Sequence, residues 1–178
     1  LNFALSHALG RSLRPGDEIL ITALDHEANR GPWQNLQECG AVVREVCVND
    51  DGEIDISDFS AKLSEKTRIV AITLASNSLG AVPDFMRFQK LIQKTDAYTV
   101  VDAVHYAAHF PVDVKLLDCD FLLCSAYKFY GPHVGILYSR PGLLDTIATD
   151  RLRTQKAQAP YRIETGTLNH AAIAGVGA

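Results

Sequence analysis

A chain of 178 residues is about one domain long, and 47% apolar residues are enough for a core. A formal net charge of −4 argues against a nucleic-acid surface, and no stretch approaches the roughly 18 apolar residues of a membrane span. The four cysteines, Cys39, Cys47, Cys119 and Cys124, show no C-x-x-C spacing, so zinc and redox motifs lack support. Cys119 and Cys124 lie within or beside an apolar run and read as reduced core residues. Leu1-Asn2-Phe3-Ala4-Leu5 carries no basic leader, so a cytoplasmic protein is expected.

In chain order, the helical spacing of Leu1, Leu5, Ala8 and Leu9 predicts a helix over 1–13. Pro15-Gly16-Asp17 is a turn, and Glu18 to Thr22 a strand. Asn29 to Glu38 reads as a helix, with Gly40 as its C′ residue. Ala41 to Cys47 is a strand, followed by the turn Asn49-Asp50-Asp51-Gly52. Asp55 or Ser57 caps a helix to about Ser64, and Thr67 to Leu74 is a β-branched strand. Asp84 caps a helix to Lys94. Strands follow over 98–102, 120–124 and 135–138. Pro141-Gly142 opens a helix to about Ala148, 149–163 reads as an irregular, mobile loop, and small residues from Asn169 onward form a terminal helix. Both ends fall in mid-helix, so the chain reads as part of something longer.

Strands alternating with helices indicate βαβ units: an α/β fold of three layers, α-β-α, around a mostly parallel sheet. Such a sheet delivers its reactive loops at the carboxyl ends of the strands. Four polar segments fall there: Asp25 to Asn29, Ser76 to Gly80, Asp102 to His105, and Ser125 to Lys128. Singly, Lys128 reads as a solvated loop charge and Asp102 as a cap or surface acid. Together they suit pyridoxal phosphate (PLP). A lysine amine can form a Schiff base with the aldehyde, and a carboxylate can keep the pyridine nitrogen protonated.

The segments Asp25-His26-Glu27-Ala28-Asn29, Thr73 to Gly80, Val101-Asp102-Ala103, Asp118 to Phe121, Ser125-Ala126-Tyr127-Lys128, Gly131-Pro132 and Glu164-Thr165-Gly166-Thr167 resemble, in order, the class V aminotransferases. These are fold type I PLP enzymes, transferases and lyases, and the likeness is nearest to group II cysteine desulfurases. The resemblance implies a PLP-binding large domain over 1–178, cut at both ends and without its small C-terminal domain. It makes Lys128 the Schiff-base lysine and Asp102 the acid on the pyridine nitrogen. His26 would be the stacking histidine, Asn77 a neighbour of the ring hydroxyl and Ser125 a phosphate ligand. Thr167 would reach the phosphate of a partner subunit, which implies a homodimer acting on an amino acid.

There are departures. Glu27 stands where the family has a second histidine. His105 replaces a glutamine that bonds the ring hydroxyl, and a histidine can do the same or move protons near neutral pH. Tyr127 replaces the histidine before the lysine and can still donate to phosphate. The phosphate loop expected before Leu1 is missing, and no cysteine matches the place of the desulfurase nucleophile. Two rival readings stand beside the resemblance: a catalytically incompetent or non-enzymatic fragment, and a metal-dependent hydrolase using Asp25, His26, Asp102 and His105. No H-x-H or H-E-x-x-H spacing supports the latter. A nucleotide-binding domain lacks its G-x-G-x-x-G or P-loop.

Overall fold

Six runs of β-branched and apolar residues, each bounded by turn formers, pair into one sheet. They are β1 (Glu18–Thr22), β2 (Val42–Val46), β3 (Thr67–Thr73), β4 (Tyr98–Asp102), β5 (Phe121–Ser125) and β6 (Gly135–Ser139). A computed structural model describes all residues, 1–178, with the strand order β2-β1-β3-β4-β5-β6. The first five strands are parallel, and β6 returns antiparallel to β5.

Both faces of the sheet are covered, which explains why its strands are apolar at nearly every position. On one face Leu20, Val70, Val101 and Leu122 meet Phe59 of α3 (Ile56–Lys62) and Phe85 and Phe88 of α4 (Phe85–Ile92). The rings of Phe59 and Phe88 pack edge to face, 5.0 Å between centroids. On the other face Ile19, Ile69, Val100 and Phe121 meet Leu5 and Leu9 of α1 (Asn2–Gly10) and Trp33 of α2 (Gly31–Gln34). The α/β class and the mostly parallel sheet are as expected from the sequence.

The local differences have physical causes. The helix expected over 29–38 is broken into a 3₁₀ turn (Glu27–Asn29), α2 and a second 3₁₀ turn (Asn35–Cys39). Pro32 cannot donate to the carbonyl of Ala28. That oxygen instead accepts from Asn2 Nδ2 at 2.8 Å. Gly40 does close the segment, with φ 87°, a conformation glycine adopts without strain. α1 stops at Gly10, α4 at Ile92, and the helix after Pro141 is only α6 (Leu143–Thr146). A short α5 (Val114–Leu117), capped by Asp113, was not expected. α7 (His170–Val176) lies within the terminal helix read from the sequence.

The 149–163 segment is irregular but tied down rather than loose. Thr149 Oγ1 donates to the carbonyl of Arg162 at 2.5 Å, and Arg162 Nη2 donates to that of Ile147 at 2.5 Å. Asp118 and Asp120 form a structural clamp at the entrance to β5. Arg140 donates to Asp118 Oδ1 at 2.7 Å and to Asp120 Oδ1 at 3.0 Å. Cys119 is buried as expected, whereas Cys124 is only half-buried. All four thiols are free. No helix is long and apolar enough to cross a membrane.

Candidate active site

Because β1, β3, β4 and β5 are parallel, their carboxyl ends share one edge, and four loops converge there. Beyond β1, His26 caps the Glu27–Asn29 turn: its Nδ1 accepts from the N–H of Ala28 at 3.1 Å. Beyond β3, the Ser76 hydroxyl accepts from the N–H of Leu79 at 3.2 Å and folds a turn with Asn77 exposed on it. Asp102 ends β4, paired with Thr73 on one side and Leu123 on the other. Its Oδ1 accepts from the N–H of Val104 at 2.7 Å.

Beyond β5, Ser125 leads into a 3₁₀ turn, Ala126–Phe129, that carries Tyr127 and Lys128. Tyr130, at φ 68°, reverses the chain after it. The N–H of Gly131 then donates to the carbonyl of Ala126 at 2.9 Å. A Cβ at Gly131 would meet that carbonyl oxygen at 3.0 Å, a crowded contact, so this close return favours glycine.

These loops enclose a cavity of about 220 Å³ lined by His26, Asn77, Asp102, His105, Ser125, Tyr127 and Lys128. Seven of the eight residues singled out from the sequence therefore meet in one place. Thr73, Ala75, Ala28 and Val104 complete the lining. Their only signal in the sequence was adjacency to the strand ends. Thr167 is not brought there; it is exposed in the segment before α7. A second cavity of about 170 Å³ shares Asp102 and Ser125 and reaches Leu1 and Asn2 at the start of α1.

Two edge interactions border the main cavity. Tyr127 stacks on His133 at 4.9 Å with planes 14° apart, and His105 meets His109 edge to face at 5.1 Å.

Burial pushes the Asp102 carboxyl up, and the Val104 N–H together with the nearby Lys128, His26 and His105 pulls it back down. No ion pair in the structure involves Asp102 or Lys128. Burial likewise raises the Cys124 thiol, with the Asp102 charge adding to it.

Asp25 behaves differently from the other acids. Its side chain turns into the protein, where Oδ2 accepts from Thr22 Oγ1 at 2.5 Å and Oδ1 from Asn29 Nδ2 at 2.8 Å. Burial pushes its carboxyl up to about 7 against those bonds, and the Asp102 charge adds to the rise. Of the four residues of a hydrolytic metal site, His26, Asp102 and His105 line the cavity and Asp25 turns away from it. No three His, Cys, Asp or Glu side chains are arranged to hold an ion.

The rise at Asp25 has a consequence for stability. The folded chain holds this proton more tightly than the unfolded one. The contribution is complete below the ordinary carboxyl range and is lost as pH climbs to about 7. At ~1.4 kcal/mol per tenfold in proton affinity, it amounts to about 4 kcal/mol. Asp25→Asn is expected to remove this slope. Urea unfolding of both proteins between pH 4.5 and 7.5 should show their stability difference shrinking as pH rises. A difference that does not change with pH would contradict the assignment.

A family model described as Aminotransferase class-V matches residues 1–178. The chain is 35% identical over 189 residues to a cysteine desulfurase of Pectobacterium carotovorum, covering 98% of this chain and 46% of that protein. It is 39% identical over 181 residues to a cysteine desulfurase of Escherichia fergusonii, covering 94% and 45%. Among solved structures, the cysteine desulfurase CsdA of Escherichia coli superimposes with a TM-score of 0.90 at 29% identity, over 98% of this chain and 47% of that one. The chain spans about half the length of the curated relatives it matches.

Proposed function

The chain belongs to the class V aminotransferase family, and from that premise we propose that its strand-end cavity binds PLP and serves a cysteine desulfurase-like reaction on an amino acid. The observation that carries this reading is the meeting of one primary amine, Lys128, and one buried carboxylate, Asp102, in the same cavity. The donor set fits the group. An amine suits an aldehyde, a carboxylate suits a pyridinium, an imidazole suits a flat ring, and hydroxyls suit a phosphate dianion.

PLP, when bound, supplies an electron sink for the bond broken at the substrate α-carbon. Lys128 Nζ anchors it and then moves the proton at that carbon. Asp102 keeps a proton on the pyridine nitrogen, and its low exposure makes the charge effective there. His26 stacks against the ring and fixes its plane. Asn77 and His105 bond the ring hydroxyl. Ser125 and Tyr127 hold the phosphate, and the first turn of α1 beside Ser125 favours an anion. Thr167 reaches the phosphate site of a second subunit, so the working form is a homodimer. Four free thiols suit a reducing compartment such as the cytoplasm.

Sulfide release also needs a thiol nucleophile. None of the four cysteines lines the main cavity, and the half-buried Cys124 is held away from the thiolate form. Residues 1–178 therefore contribute the cofactor site and the α-carbon chemistry rather than the sulfur acceptor.

The test is a titration with PLP followed by borohydride and peptide mass analysis. A visible absorption band and a label on Lys128 are expected. No band, or a label on another lysine, would overturn the reading. Adding L-cysteine and L-alanine to the loaded protein and following the band then reports whether an amino acid is bound.

A further inference from the structure

We propose that Asp25 is a positioning residue for His26, cinching the loop that carries the imidazole so that the ring keeps one orientation and one tautomer at the cavity. Asp25 and Asn29 are the first and last residues of this loop and both are buried, at 6% and 0% exposure. The bond from Asn29 Nδ2 to Asp25 Oδ1 closes it. Thr22 anchors the other carboxyl oxygen to β1, through its hydroxyl at 2.5 Å and its N–H at 3.2 Å.

Asn29 then holds His26. Its N–H donates to the His26 carbonyl at 2.8 Å. Its Oδ1 accepts from Trp33 Nε1 at 3.4 Å and from Asn2 Nδ2 at 2.9 Å, and that same Asn2 amide also donates to the carbonyl of Ala28. The loop is thereby fastened to β1, α1 and α2 at once. The imidazole itself is exposed to the cavity and has one bond within the chain, Nδ1 accepting from the N–H of Ala28. That bond leaves the neutral ring its proton on Nε2. It holds only while the Glu27–Asn29 turn keeps its shape, and the turn is what the Asp25–Asn29 bond maintains. A buried chain of hydrogen bonds rigidifies its surroundings in this way.

The clamp is a property of the chain alone. What the oriented ring meets rests on the reading of the cavity as a PLP site. The experiment uses protein labelled with ¹⁵N-histidine, the His26 signals being identified by their loss in His26→Gln. Asp25→Asn keeps an oxygen to accept from Asn29 and gives up the acceptor that faces the Thr22 N–H. Asp25→Leu keeps the size and removes the acceptor. Asn2→Ala cuts the tether at its less buried end and leaves the core intact.

Wild type and Asp25→Asn should show separate Nδ1 and Nε2 shifts of one tautomer at His26. Asp25→Leu should average them and weaken PLP binding about tenfold, and Asn2→Ala should move both readouts the same way. If Asp25→Leu does not fold, Asn2→Ala decides. An unchanged His26 pattern in every folded variant overturns the proposal. Failure of the wild type to bind PLP would instead sink the cofactor reading and leave the imidazole pattern interpretable.

Discussion

In a complete enzyme that contains this chain, Lys128→Ala is expected to abolish covalent retention of PLP and to lower turnover by about 10⁴-fold or more. The expectation follows from the place of Lys128 in the fold. The Ala126–Phe129 turn aims it into the cavity, and the close return of Gly131 onto Ala126 fixes that turn. Its amine is committed to no ion pair, so nothing in the chain competes for it. It is also the one residue asked to do two jobs, as anchor and as proton carrier at the substrate α-carbon. Lys128→Arg separates charge from chemistry. It restores a cation near Asp102 but offers no amine that can bond an aldehyde. Both variants should lose the borohydride-fixed mass increment and the turnover, while only the alanine removes the positive charge that pulls the Asp102 carboxyl down. A variant that keeps both signals sinks the assignment.

The second large effect belongs to Asp102→Asn, which should cut turnover by about 10²- to 10⁴-fold while PLP still binds. The amide preserves the local structure, since an Asn oxygen can still accept from the N–H of Val104. The backbone bond from Leu74 N–H to the carbonyl of residue 102 is untouched. What vanishes is the charge. In a site this buried, a carboxylate is poorly screened, and losing it releases the proton from the pyridine nitrogen. The same change reaches Asp25, whose carboxyl is held up partly by the Asp102 charge, so it should titrate lower in the variant. Steady-state rates and carboxyl ¹³C shifts measure the two consequences. Near-normal rates would mean that the ring nitrogen is held in some other way, and an unmoved Asp25 would break the coupling between the two acids.

These two residues show how much could be read before any coordinates. Lys128 and Asp102 each follow an apolar run. In a parallel sheet every such run delivers its last residues to one edge, so a one-dimensional pattern of strand followed by polar motif already implies a shared site. The same logic placed His26, Asn77, His105, Ser125 and Tyr127 there. The α/β class followed from strands alternating with helices, and apolar runs such as Thr67 to Leu74 suit a sheet covered on both faces.

Burial and long-range pairing were decided only by the tertiary structure. In the sequence Asp25 was one more acid beside a histidine, a fit partner for His26, Asp102 and His105 around a metal. Its place depends on Asn29, Trp33 and the distant Asn2, which bind one another and leave the cavity to its neighbours. The helix read over 29–38 is interrupted, and Pro32 stands in the first turn of α2. Arg162 fastened a segment whose composition suggested none of its anchors. The antiparallel return of β6 rests on its register with β5. Local pattern is set by covalent neighbours and their steric preferences, so the sequence determines it. Whether a polar group is buried, paired or left facing a cavity depends on groups far along the chain, and only the packed fold brings those together.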